Sequence, residues 1–398
     1  MRSLALFSIW ILIFTIPWEN MIMVPGIGTV SRTVGFPVLA IAVLATLYSQ
    51  KIRVHFIHGL MLVFWIWTSF TYFWTVDTEL TEIIIFSFAQ ILVMVWLVFQ
   101  WAQRLEDVNR LLTAYVLGCC VSIGATFYSY TMNVMVVYQR YAASGFDAND
   151  LAVTLALGIP VAWYLSLGAQ KQTTMWLYRL YLPAAMFAIF LTASRAGFLV
   201  ALVGLSYVLW TYRDLSANNK ALFPFFGMVA LFIVAPYIPL ESLERIQTIG
   251  NAVSTGDLNS RTIIWQAGLD GFLNNTYGGD RILWGVGAGA YLPAIAPFLG
   301  GDGQVAHNVY LSILVEQGVI GLLLFFAVLG KSWLDTLQMP RRERLLWQVT
   351  MLIWAIAAMS LTWEYRKATW LIIALLIAHS AALMRVKRQD SATLQKPE

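Results

Sequence analysis

The chain has 398 residues, of which 59% are hydrophobic and 12% charged, with a mean hydropathy of +0.70. Soluble domains run at about 45–50% apolar and about 25% charged, so this composition excludes a soluble globule and makes the chain integral to a membrane. The net charge is +4 and the pI near 9.0, yet no basic patch interleaved with aromatics lies in a polar segment, which excludes nucleic acid as a partner.

A spanning helix needs roughly 20 mostly apolar residues. Lipid admits only helices or closed barrels, because every backbone polar group needs an internal partner. The apolar runs here are long and do not alternate, so the predicted fold class is all-α: a polytopic membrane protein with about twelve transmembrane helices. They lie near 4–24, 33–49, 57–75, 80–101, 110–131, 151–169, 174–192, 196–212, 220–238, 307–330, 345–361 and 369–385. The first run could pass for a signal peptide, but it has no clear small-residue cleavage site and carries Pro17 and Glu19 at its far end. It reads as a retained helix. The runs 174–192 and 196–212 are joined by a very short link.

Lysine and arginine set the orientation. With both termini cytoplasmic, the inner segments hold 17 basic and 7 acidic residues, and the outer segments 8 and 14. The chain is then one membrane domain over 1–398, with a 68-residue periplasmic loop at 239–306. Loops beyond about 12–15 residues are usually functional or disordered. This one carries Trp265, Phe272, Trp284, Tyr291 and Phe298, which predicts a folded loop over the membrane surface. Residues 260–274 read as a capped amphipathic helix with Ser260 as N-cap, and Gly-rich turns are expected at 278–279, 285–289 and 300–303. A second polar stretch, 132–150, contains Arg140, Asp147 and Asp150.

Cys119 and Cys120 are adjacent inside an apolar run and read as small core residues. No Cys or His spacing matches a metal site. Asp77 and Glu79 could hold a divalent cation or be solvated charge. Gly285-x-Gly287-x-Gly289 lacks the strand, helix and spacing of a nucleotide fingerprint and reads as a turn.

The outer basic residues, Arg32, Arg140, Arg195, Arg245, Arg261, Arg281, Arg366 and Lys367, run against the sorting rule, so each asks for a reason. Arg195 sits between two apolar runs in Thr192-Ala193-Ser194-Arg195-Ala196-Gly197. It either snorkels at a helix end or binds a phosphate or carboxylate through its planar fork. Arg261 opens the presumed loop helix, where the dipole disfavours a cation but favours a bound anion; a solvated arginine beside Asp257 is the alternative. His307 opens an apolar run in His307-Asn308-x9-Gly318-x2-Gly321. Its ordinary pKa near 6.5 suits proton transfer, but it could equally be an anion ligand or a structural histidine; His55, His58 and His379 read as structural. Glu316, nine residues on, is out of phase with His307 at ~100° per residue. Gly318 and Gly321 read as a helix-packing surface. In the last outer loop, Trp363-Glu364-Tyr365-Arg366-Lys367, Glu364 either orients an arginine or His307, or forms a surface ion pair of little worth.

These motifs, with the long loop in the C-terminal third, the Arg261-x3-Trp265 helix and Gly285-x-Gly287, resemble the O-antigen ligase and polymerase superfamily. The resemblance spans roughly residues 185–330 by motif and the whole chain by topology. It implies a membrane glycosyltransferase C-like fold in the bacterial inner membrane. Such enzymes move a glycan from an undecaprenyl diphosphate carrier to an acceptor hydroxyl at the periplasmic face, lipid A–core in the ligases, with inversion and without a metal or other cofactor. Carried over, Arg195 and Arg261 clamp the diphosphate and His307 is the essential histidine. Asn308, Arg366 and Glu364 are further candidate substrate-binding residues. A polymerase of the same superfamily, or a transporter whose arginines and histidine line a path, are the competing readings.

Overall fold

A computed structural model describes residues 1–136, 140–248, 261–273, 281–299 and 304–394. Ser260, Asp257 and the glycine turns at 278–279 and 300–303 lie outside the described residues. Among the described residues, ten helices are long and apolar enough to cross a membrane. In chain order the first eight elements are α1 (Arg2–Thr15), α2 (Val30–Ser49), α3 (Phe56–Phe70), α4 (Thr78–Trp101), α5 (Leu105–Thr131), α6 (Ala148–Gly168), α7 (Gln172–Thr192) and α8 (Arg195–Thr211). There follow α9 (Ala217–Val234), α10 (Leu240–Gln247), α11 (Arg261–Leu273), α12 (Arg281–Trp284), α13 (Tyr291–Ile295), α14 (Val309–Leu337), α15 (Arg341–Ala357) and α16 (Lys367–Leu394). The expected runs 220–238 and 345–361 correspond to α9 and α15, of 18 and 17 residues, which are not among the ten. A two-stranded hairpin, β1 (Met23–Val24) and β2 (Gly28–Thr29), pairs Met23 with Thr29 and Val24 with Gly28 between α1 and α2. The ends that carry this hairpin, the α3–α4, α5–α6 and α7–α8 links and the segment after α9 form one side of the bundle, termed the loop face below.

The centre of the bundle is α6. Residues 151–166 are all buried, and 89% of its apolar window is enclosed by protein. A helix apolar all round is a core helix, and α6 packs against α5, α7, α8 and α15. Gly197 allows the close approach of α8, since a Cβ there would meet the Ala152 Cβ at 2.3 Å. Helix α1, the first apolar run, is buried along one face against α2 and α5.

Caps fix where helices start on the loop face. Asp77 Oδ1 accepts from the Leu80 amide at 3.0 Å for α4, and Asp147 Oδ1 from Asn149 (2.8 Å) and Asp150 (3.3 Å) for α6. Ser194 Oγ accepts from Gly197 (3.2 Å) for α8, and Asn308 Oδ1 from Tyr310 (3.1 Å) and Leu311 (3.2 Å) for α14. Each cap contributes about 1 kcal/mol and satisfies amides with no helical partner.

Helix α14 corrects the expectation for Gly318. The residue is not part of a smooth helix-packing stripe: its φ of 70° and ψ of −173° break the helix. This backbone region is almost restricted to glycine. The break releases successive carbonyls, which take outside donors. Val315 O accepts from Val286 N (3.0 Å), Glu316 O from Gly287 N (2.9 Å) and Gln317 O from the Trp67 indole (3.0 Å). The Gly285–Gly289 segment is therefore docked on the kink. A Cβ on Gly318 would lie 2.2 Å from Leu283 O, and the Gly285–Gly289 segment is tied to the α3–α4 link by Val76 N to Val286 O (2.9 Å) and to α4 by Thr81 Oγ1 to Ala288 O (2.8 Å).

Candidate functional site

Arg195, Arg261 and His307 all stand at helix beginnings on the loop face. Arg195 is the first residue of α8, Arg261 the first of α11, and His307 immediately precedes the cap of α14. Helix N-termini carry partial positive charge, which disfavours a cation and favours an anion. An arginine at such an end costs about 0.3–1 kcal/mol, which a bound anion would offset.

The structure brings these residues into one electrostatic cluster with two further arginines, Arg140 and Arg245. The charges of Arg245, Arg261 and Arg195 all act on Arg140, and Arg195 acts on both Arg245 and Arg261. Burial and these like charges hold the guanidinium pKa values of Arg140, Arg245 and Arg261 below the ordinary value, though an arginine stays a cation at neutral pH. The carboxylate of Asp147 opposes this field at Arg140, Arg261 and His307.

Neutral acceptors position the cations. Arg140 is buried, its Nε donating to Thr192 O at 2.8 Å and its Nη2 to Asn149 Oδ1 at 2.8 Å. It thereby satisfies a carbonyl at the C-terminus of α7, where a cation is favoured. Ser194 Oγ donates to the same Asn149 Oδ1 at 2.8 Å, which joins the turn before Arg195 to α6. Arg195 Nη1 reaches Thr248 Oγ1 at 3.4 Å, beyond the end of α10.

His307 is half-buried, and its φ of 46° is a left-handed conformation uncommon outside glycine. Such residues cost about 1–3 kcal/mol and concentrate at functional sites. Ala193, directly before Ser194-Arg195, shares this conformation at φ 48°. The Trp265 indole donates to Ala306 O at 2.8 Å, and the Tyr291 hydroxyl to Ile264 O at 3.1 Å. The first bond ties α11, and so Arg261, to the residue before His307, and the second ties α11 to α13. Burial, and then the Arg261 charge, lower the His307 pKa, with Asp147 opposing. The imidazole is therefore neutral at neutral pH, with one ring nitrogen able to accept a proton.

The other candidates fall elsewhere. Asn308 serves as the α14 cap described above. Asp77 caps α4, and among the described residues no group of three or more His, Cys, Asp or Glu side chains is placed to hold a metal. Glu364 is not a surface ion pair but is buried, its Oε1 accepting from Ser312 Oγ at 2.7 Å. Ser312 also reaches Glu316 Oε1 at 3.3 Å, while Glu316 Oε2 accepts from the Tyr365 hydroxyl (2.8 Å) and Gly289 N (2.8 Å). Burial and then the Glu316 charge push Glu364 above the usual carboxyl range, and the Arg366 charge opposes them. Arg366 and Trp363 both act on Asp150, the Trp363 indole donating to its Oδ1 at 3.0 Å.

Fold and site together define a polytopic helical membrane protein with a group of arginines and a neutral histidine on one face. The comparisons narrow this: residues 180–326 match the family model described as O-Antigen ligase. That match supports the ligase and polymerase superfamily and a general transferase role. Comparison with curated proteins finds no match. Arg195, Arg245, Arg261 and His307 lie inside the matched stretch; Arg140 and Arg366 lie outside it.

Proposed function

We propose that the protein is a periplasm-facing glycosyltransferase of the inner membrane. It transfers a glycan from undecaprenyl diphosphate to a sugar hydroxyl of lipid A–core, with inversion and without a metal. The observation that carries this reading is the grouping of four arginines with a neutral histidine on the loop face, within and beside the family-matched segment. A diphosphate is already a good leaving group, so the demand on the protein is to hold its growing charge. Arg195 and Arg261 meet that demand with charge-assisted, fork-shaped contacts, and Arg140 and Arg245 extend the field. The acceptor hydroxyl attacks the anomeric carbon. Its proton passes to the unprotonated ring nitrogen of His307, the new C–O bond forms, and the bond to phosphate breaks with its electron pair leaving on the diphosphate.

An apolar groove of about 950 Å³ supports the carrier assignment. It runs between α7, α8 and α9, lined by Leu180, Pro183, Phe187, Phe190 and Leu205, and includes Ile238 just before α10, the helix that bears Arg245. A polyprenyl chain there would place its diphosphate beside the arginines. The test is in-vitro transfer with purified protein, a glycan on polyprenyl diphosphate, and lipid A–core. Glycan appearing on lipid A–core supports ligation. Elongation of the carrier-linked glycan in its place makes the protein a polymerase. Glycan flux across proteoliposomes with no transfer overturns the enzyme reading.

A further inference from the structure

The eight basic residues of the loop face sort into three groups. Arg140, Arg195, Arg245 and Arg261 share the cluster above. Arg281 is tied to backbone, its Nη1 donating to Trp74 O (2.7 Å) and Gly285 O (3.3 Å). The remaining three, Arg32, Arg366 and Lys367, line a separate cavity of about 310 Å³ between α1, α2, α4 and the start of α16. Lys367 is paired with Glu19 at 2.7 Å, and Glu19 also accepts from Thr29 (3.1 Å) and from Ser31. Arg32 and Arg366 make no ion pair among the described residues.

The chemistry of this cavity changes with depth. Its mouth is cationic, Ser87 and Gln90 of α4 offer polar groups lower down, and Leu12, Leu39, Ile91 and Met94 make the deeper wall apolar. Phe36 lines it while remaining half exposed on α2, so the side wall meets the surface that faces lipid. Its volume is that of a small-molecule pocket, about 300–1,000 Å³. Basic residues are disfavoured on this face by the rule that sorts them inward, so an excess around one cavity calls for an anionic ligand.

We propose that this cavity is a second substrate site, which binds the phosphorylated sugar headgroup of a glycolipid through Arg32 and Arg366 while its acyl chains lie against α2 and α4. As the acceptor site, it rests on the transfer reaction proposed above. Placement favours that role: the Arg366 charge reaches Asp150, three residues from the Asp147 that acts on His307. Tyr365, which lines the cavity, also donates to the Glu316 carboxylate that holds Gly289. A headgroup seated here is linked through Tyr365 and Glu316 to the Gly285–Gly289 segment, and the two anionic lipids are kept on separate cations.

The test is equilibrium binding, read by native mass spectrometry on purified full-length protein in nanodiscs, with bisphosphorylated lipid A, dephosphorylated lipid A, phosphatidylglycerol and polyprenyl diphosphate as probes. The R32A/R366A variant is expected to bind bisphosphorylated lipid A at least tenfold more weakly, about 1.4 kcal/mol, and polyprenyl diphosphate within about twofold of the parent. R32K/R366K should recover part of the loss, and Ser87→Trp, which fills the cavity without removing a charge, should weaken lipid A alone. Unchanged lipid A binding in both R32A/R366A and Ser87→Trp overturns the proposal, as does phosphatidylglycerol binding the parent as tightly as bisphosphorylated lipid A. Because binding is read without turnover, a protein that binds as expected but transfers nothing counts against the reaction and not against this site.

Discussion

The two faces of the bundle treat charge differently. On the face opposite the loops, several basic side chains sit on carboxylates: Arg2 on Asp107, Lys331 on Asp335, and Arg341 on Asp214. On the loop face Lys367 pairs with Glu19, while the clustered arginines crowd together and hydrogen bonds of Arg140 and Arg195 go to Thr192 O, Asn149 Oδ1 and Thr248 Oγ1. Pairing with a carboxylate neutralises a charge and leaves a structural contact, whereas bonding to a neutral acceptor orients a cation and keeps its field available. The difference fits the proposal that the clustered arginines serve an anionic ligand while the paired residues hold the fold.

Substitutions on the two faces should therefore diverge. The largest effect is expected from His307→Ala, with transfer reduced by on the order of 10²–10⁴ and the protein still inserted, measured as product per enzyme in the purified assay. A normal rate would end the base assignment; a loss seen mainly in donor affinity would make His307 a ligand. Arg195→Ala and Arg261→Ala are each expected to reduce transfer by ~10²–10³, and full activity in both would remove the clamp. Gly318→Ala comes next, because it strains the break in α14 and drives a Cβ into Leu283 O. It should lower the melting temperature by an amount matching about 1–3 kcal/mol and loosen the Gly285–Gly289 segment, read as faster amide exchange there. At the small end, Arg341→Ala removes a partly exposed pair worth about 0–1 kcal/mol and should leave transfer unchanged.

The pH profile probes the same contrast from within the site. His307 works unprotonated and its pKa is lowered, so activity should persist to a more acidic pH than an ordinary histidine near 6.5 allows. The Arg261 charge lowers that pKa and Asp147 raises it. Arg261→Gln should therefore move the acidic limb of kcat/KM upward and Asp147→Asn should move it downward. Shifts of the same sign in both variants would refute this arrangement.

Much of this was legible in the residues. Long apolar runs predict the spanning helices, and the positions of Arg195, Arg261 and His307 against the charge-sorting rule and at helix boundaries point to the site. The membership of Arg140 and Arg245 was not legible. Both break the same sorting rule, but what joins Arg140 to Arg195 is the crossing of the 140–149 segment over the end of α7, and what joins Arg245 is the packing of α10 against α7 and α8, contacts distant in sequence. Glu364 reads as a surface residue beside Arg366 and Lys367, and only the packing of Ser312 and Glu316 against it reveals a buried carboxyl. Gly318, inside an apolar run, looks like a helix-packing residue; its role as a break depends on the Gly285–Gly289 amides that take up the freed carbonyls.

The central claim is that the loop-face arginines form a diphosphate site. The most direct measurement is the affinity of purified protein for polyprenyl diphosphate and for polyprenyl monophosphate, in the parent and in Arg195→Ala/Arg261→Ala. The account predicts tighter binding of the diphosphate by the parent and a loss of about a hundredfold in the double variant, as two charge-assisted contacts of about 1.5–3 kcal/mol each imply at minimum. Equal affinity of parent and double variant for the diphosphate would contradict it.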